Sequence, residues 1–137
     1  MTSQRIFTLG EARALVPALR PRLQAMARIR ERLLPFREQV ERLAEGAQRG
    51  GGTFPAAGEY LRHVQELNGH LAFLRENGVE LKNMAAGLVD FPSMRQGKVV
   101  YLCWRMDEET ITHWHEIEAG FAGRKPIRDP REEPSAG

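Results

Sequence analysis

The stretch HWHEIEAGF at residues 113–121 sets two histidines and two glutamates within six residues. Imidazole and carboxylate are common ligands of divalent metals, and they can also share a proton as base and acid. The acids of the preceding MDEET suit a helix start, because the N-terminal end of the helix dipole favours negative charge. The spacing therefore predicts a short C-terminal helix. On its wheel Ile111, Trp114, Ile117 and Phe121 form one apolar arc, Glu118 falls just inside the edge with His115 beside it, and Glu116 points to solvent. A carboxylate at a buried edge is costly unless paired. Glu118 is thus expected to meet His115, a metal held by both, or an arginine such as Arg105. His113 lies on the opposite flank of that helix, so the HxH pair cannot hold one ion there. In a strand over 111–116 the two rings would share a face and could.

Further ligands would have to come from the strands before this stretch, where Asp90, Glu80, Cys103 and Tyr101 are the available polar groups. The candidate metal ligands are Asp90, His115 and Glu118, with Glu80 as the alternative to Asp90. A divalent transition metal is the cofactor class such donors would take. The wider candidate binding set adds Tyr101, Trp104, Arg105 and Glu116. A structural His–Glu pair ranks ahead of the metal, because the i, i+3 spacing lacks the second copy that helix-borne carboxylate metal sites use. Neither Ser93 nor Cys103 sits in a recognisable nucleophile turn, so catalytic residues are unassigned and enzyme status is left open.

The elements that must position these groups are legible from periodicity. Thr8 and Glu11 of TLGE occupy the two ends of a capping box, and Phe7 is placed to staple the first turn. Pro17 and Pro21 predict a short helix from Leu9 to Val16, a kink, and then a long helix to Ala47. Its apolar residues Leu19, Leu23, Met26, Ile29, Leu33, Phe36, Val40 and Leu43 recur at steps of three and four, close to a coiled-coil seam. Pro35 should kink its outer half. Residues 46–58, GAQRGGGTFPAAG, read as a linker without the lysine or the preceding strand of a phosphate loop. A second helix is predicted over Ala56–Asn77, stopped by Gly78, with His63 and His70 facing solvent. After Gly78 the period falls to two, which predicts strands over 79–83, 87–91 and 98–106 with NMAAG and PSMRQG as turns. In the last strand Val100, Leu102, Trp104 and Met106 share a core face; Val99, Tyr101, Cys103 and Arg105 share the other.

The fold class expected is α+β, mainly α: an antiparallel two-helix hairpin over 8–78, then a small antiparallel β-meander and the short C-terminal helix over 79–123. One domain spans 1–123, and the proline- and charge-rich 124–137 reads as a disordered tail. A two-helix hairpin has one mutual contact face, so a homodimer is expected to cover the remainder.

Composition narrows the partners. Residues 1–50 hold ten arginines against five glutamates, +5; the remaining 87 hold ten basic against thirteen acidic groups, −3. Acids interleave with the arginines, as in RIRERLLPFREQVERLAE, and Phe36 is the single aromatic among them, too few to stack successive bases. Nucleic-acid binding through the arginine-rich first helix therefore ranks last. The apolar runs are too short to span a membrane or to form a signal peptide, and the single Cys103 excludes an internal disulfide and zinc sites built from cysteine pairs. A cytoplasmic protein is expected.

Near the start FTLGEARALVPALRP, and near the end GVELKNMAAGLVDFPSMRQGKVVYLCWRMDEETITHWHEIEAGFAGRKP, resemble the bacterial family called domain of unknown function 2203. GVELK, GLVDFP, YLCWR and WHE carry the specific part of the likeness, which covers nearly the whole chain. The resemblance implies a small cytosolic bacterial protein, with Glu80, Asp90, Trp104, His115, Glu116 and Glu118 as its motif residues. His113 stands where the family pattern has an aromatic residue, and the resemblance carries no activity, substrate or cofactor. The function expected is a non-enzymatic binding or interaction domain, taking a protein partner or small ligand at a polar His/Glu/Asp site. A metal-binding protein or metal-dependent enzyme is the alternative.

Overall fold

A computed structural model describes residues 5–47 and 56–127. Helix α1 spans Leu9–Leu33, a 3-10 turn spans Leu34–Phe36, α2 spans Arg37–Ala47 and α3 spans Ala57–Glu76. Strands β1 (Glu80–Asn83), β2 (Leu88–Arg95), β3 (Lys98–Arg105), β4 (His113–Glu116) and β5 (Lys125–Pro126) form one antiparallel sheet in that order. The α+β class is as expected, but neither the simple two-helix hairpin nor the C-terminal helix is what forms.

The capping box forms: Thr8 accepts from the Glu11 amide and Glu11 accepts from the Thr8 amide. The break expected at Pro17 does not occur, and α1 runs through both prolines. Both rings lie on the exposed side, where water can satisfy the carbonyls that lose a donor and where a helix wrapping a core is convex. On the opposite side Leu9, Ala12, Val16, Leu19, Leu23 and Met26 are buried in the main core. Packing of that face offsets what the prolines cost. At Pro35 the helix does tighten into its 3-10 turn before α2 resumes. Arg22 lies over the Phe73 ring, and further along α1 and its continuation Phe36 meets Tyr60 edge-on. Contacts that run opposite in sequence make α1 and α3 antiparallel. His70 meets Arg22, and the His63 side chain, 16% exposed, pairs with Glu59. These rings are not the solvent-facing groups expected.

Strand β2 continues through Pro92 to Arg95, so the expected turn PSMRQG shrinks to Gln96–Gly97. Proline is tolerated because the Pro92 carbonyl accepts from the Phe7 amide. In an extended strand the N and O of one residue point the same way, so the missing donor also faces this edge, beyond the end of β1, and not β3.

The ladders sort the side chains. Val89, Phe91, Val100, Leu102, Trp104 and Trp114 share one face and join α1 in the core. Glu80, Asp90, Tyr101, Cys103, Arg105, His113 and His115 share the other. The segment after β4 folds back across this second face, bringing Ile117, Gly120 and Phe121 to it.

Residues 113–116 are a strand, contrary to the helix expected. β3 is buried on both faces at Leu102, Cys103 and Trp104, so its backbone groups on the side away from β2 need a partner strand. HWHE supplies one, and tertiary pairing overrides the helical spacing. Residues 124–127, assigned to the expected tail, belong to the fold. Lys125 and Pro126 form β5, and Arg124 pairs with Glu108 at 3.0 Å with side chains only 12% and 19% exposed. Residues 128–137, and 48–55 of the expected linker, lie outside the described residues. No described helix is long and apolar enough to cross a membrane.

Candidate functional site

Three neighbouring strands each deliver one ligand-type side chain to the same spot on the second face. Asp90 of β2 stands opposite Cys103 of β3, and His115 of β4 stands opposite Tyr101, two residues before Cys103 on β3. Alternation along each strand turns all three to one side. Asp90 and His115 are 2% exposed and Cys103 is fully buried. One ligand atom from each lies within 4.8 Å of the others.

His115 Nε2 is 3.0 Å from Asp90 Oδ2, and its Nδ1 is 2.7 Å from the Glu116 carbonyl. A carbonyl only accepts, so Nδ1 carries a proton and donates it. That leaves Nε2 facing a carboxylate oxygen, and two acceptors cannot face each other at this distance without a cation between them. A proton satisfies this, held by either partner. Burial raises the Asp90 carboxyl above the usual carboxylate range, opposed by His115 and Lys82. The other oxygen, Oδ1, is buried and lacks a well-formed hydrogen bond. Burial first, and then the Asp90 charge, push the Cys103 thiol up to about 12.

A pocket of about 160 Å³ lies against this trio, lined also by Lys82, Tyr101, Ile117 and Phe121. At its edge the Tyr101 hydroxyl donates to Glu80, 3.2 Å from both carboxylate oxygens, and Lys82 Nζ stands 3.0 Å from Glu80. The Tyr101 and His115 rings are 5.5 Å apart.

The site differs from the one expected. Asp90 and His115 meet, but Glu118 does not join them. It lies exposed in the turn after β4 and lines a separate pocket of about 320 Å³ with Arg95, Lys98 and Trp114. Glu116 contributes its backbone carbonyl, while its exposed side chain lies 3.9 Å from Lys125. Trp104 points into the core and donates to the Glu108 carbonyl. Arg105 pairs with Asp107 and not with Glu118. Glu80 sits beside the trio through Tyr101 and Lys82. His113 shares the face with His115, as a strand requires, but meets Thr112 and has its basicity lowered by burial and by Arg124. Cys103 is the member the motif reading left in reserve. Its strand parity with Tyr101 and Arg105 was the available signal.

The molecule's arginines answer the question of charge. Arg13 donates twice to the Ile111 carbonyl, and Arg20 donates to the carbonyls of Met106, Glu108 and Glu109. These α1 cations hold the loop that leads into β4, and so fix where His115 can lie.

No curated protein and no solved structure matches this chain. A family model does: it is described as an uncharacterized conserved protein, DUF2203, and matches residues 5–127 of the 137, so the chain belongs to that family.

Proposed function

We propose that the chain is a metal-binding protein whose ion is held by Asp90, Cys103 and His115. The observation that carries this reading is the placement of carboxylate, thiol and imidazole within 4.8 Å of one another in a buried site. Ligand atoms around a tetrahedral zinc are roughly 3.3–3.8 Å apart, so small rotamer changes suffice. The histidine is already dressed as a ligand, with Nε2 inward and its other ring nitrogen tied to a backbone carbonyl. Charge also favours exchange. Metal-free, the trio is neutral with one proton shared by Asp90 and His115 and one on the thiol. A divalent cation displacing both protons leaves it neutral again. One sulfur, one nitrogen and one oxygen donor suit zinc or a similar borderline ion. Three protein ligands leave a coordination position for water or a small ligand facing the pocket; at such a position a bound water is a stronger acid than bulk water. A thiol ligand suits the reducing bacterial cytoplasm.

The test is the metal content of untagged full-length protein. The expected result is about one zinc-class ion per chain, lost in Cys103→Ser and in Asp90→Asn with the fold retained. Cobalt substitution should give a thiolate-to-metal charge-transfer band that Cys103→Ser abolishes. Less than about a tenth of an ion per chain after incubation with zinc, cobalt and manganese would reject the metal.

The second reading is the non-enzymatic binding domain, with the trio serving only to order the sheet. The 3.0 Å Asp90–His115 contact favours it, since a shared proton completes that pair without any ion.

A further inference from the structure

The walls of the pocket beside the trio are of two kinds. Four large apolar side chains are exposed among the described residues, and two of them, Ile117 at 53% and Phe121 at 40%, stand on this pocket together with Leu88. Apolar groups left in water and converging on one concavity mark a binding site. The space of about 160 Å³ admits a molecule of a few heavy atoms. Among the described residues that line it, Lys82 is the one lysine or arginine.

An irregularity of the sheet brings Lys82 there. Leu81 pairs with Val89 and Asn83 with Leu88, so β1 uses two residues where β2 uses one, and Lys82 is the extra residue of a bulge. Bulges re-aim a side chain and are over-represented beside functional sites. The ammonium is held 3.0 Å from Glu80 Oε1 and 4.8 Å from the centre of the Tyr101 ring. An ammonium has three donors, so Glu80 does not exhaust it. Burial raises the Asp90 carboxyl, and Lys82, after His115, opposes that rise, so the ammonium's charge is felt at the trio.

Resting on the metal reading above, we propose that the open coordination position takes a short-chain monocarboxylate. One carboxylate oxygen binds the ion, Lys82 donates to the other, and the hydrocarbon tail lies against Ile117 and Phe121. One cation on the wall matches one carboxylate. An inorganic anion would leave the apolar wall in water, and an alcohol of the same length would leave Lys82 without an ionic partner in the pocket.

Full-length protein loaded with cobalt tests this, because the visible bands of the ion report its ligands. Butyrate should shift those bands with a Kd in about the millimolar range. It should bind at least about fivefold tighter than acetate, since its added methylenes leave water, while butan-1-ol should leave the bands unmoved. Lys82→Gln should weaken butyrate about tenfold with the thiolate-to-cobalt band intact, and Phe121→Ala should erase the preference for butyrate over acetate. The near-ultraviolet signal of the buried Trp104 and Trp114 separates lost binding from lost folding in both variants. Cobalt-loaded protein whose bands ignore butyrate, or answer butan-1-ol equally, overturns this proposal and leaves the metal reading standing. So does a Lys82→Gln variant that binds butyrate as tightly as the parent chain. Protein without any thiolate-to-cobalt band overturns the metal reading and this proposal with it.

Discussion

Between Asp90 and His115 the decisive quantity is one cation. Leucine at 115 leaves the buried Asp90 without the partner of its Oδ2. Removing one member of a buried ion pair costs about 3–5 kcal/mol when the survivor must stay charged. Asp90, whose carboxyl already holds its proton more tightly than usual, can instead go neutral, so the loss reduces to an unsatisfied polar group at roughly 1–3 kcal/mol. In chelator-treated protein, His115→Leu should therefore lower stability by that smaller amount. Adding Asp90→Leu should recover most of it, as when buried polar pairs are replaced by apolar ones of similar volume. Urea melts of the single and double variants check this. A double variant as unstable as His115→Leu would mean that the pair holds the sheet together.

At the level of elements, α1 is set at its start by the capping box and along its length by what its arginines hold. Thr8→Ala should cost about 1 kcal/mol at neutral pH in a thermal or urea melt. The Glu11 carboxyl is held below its ordinary range, chiefly by the Thr8 backbone amide and then by its hydroxyl. A lowered folded value means the unfolded chain binds the proton first on acidification. This contribution is complete above about pH 4.5, the ordinary value, and is lost as pH falls through the lower folded value. Glu11→Gln should flatten the acid limb of the stability profile in that window, and an unchanged limb would mean the box does not hold charge. Arg20 is a second lever, because its guanidinium spans three carbonyls of the loop before β4. Arg20→Lys should lose roughly 1–3 kcal/mol, since one ammonium cannot serve that fan of acceptors. If the proposed ion is bound, the same change should also loosen it by displacing His115.

At the scale of the whole molecule, the arginines on the inner part of α1 serve structure. Arg13 and Arg20 are bound to loop carbonyls, and Arg22 stacks on Phe73. The +5 of the first fifty residues is therefore not a continuous basic surface. No retention on heparin near physiological salt is expected, because phosphate-type binding needs several free cations acting together. Retention that falls steeply with salt would contradict this.

The chain's own order of residues determined the start of α1, the stop at Gly78, the two-residue period of β1 to β3, and which side of β3 is core. These depend on neighbours within a few positions: caps, turns and alternation. Strand parity alone also placed Tyr101, Cys103 and Arg105 on the side away from the core. Local rules failed where the choice lay with distant partners. Pro17 and Pro21 stay helical because the far face of α1 is packed, and Pro92 stays in β2 because its missing donor faces the edge that Phe7 joins. HWHEIEAGF carries a helical arc as readily as a strand, and the open side of β3 decides between them. Once that strand forms, the period changes from 3.6 to two, Glu118 leaves the interior, and His115 meets Asp90 and Cys103, from two other strands. Those groups lie 25 and 12 positions away in sequence, and only a sheet register can bring them within ligand distance of one another.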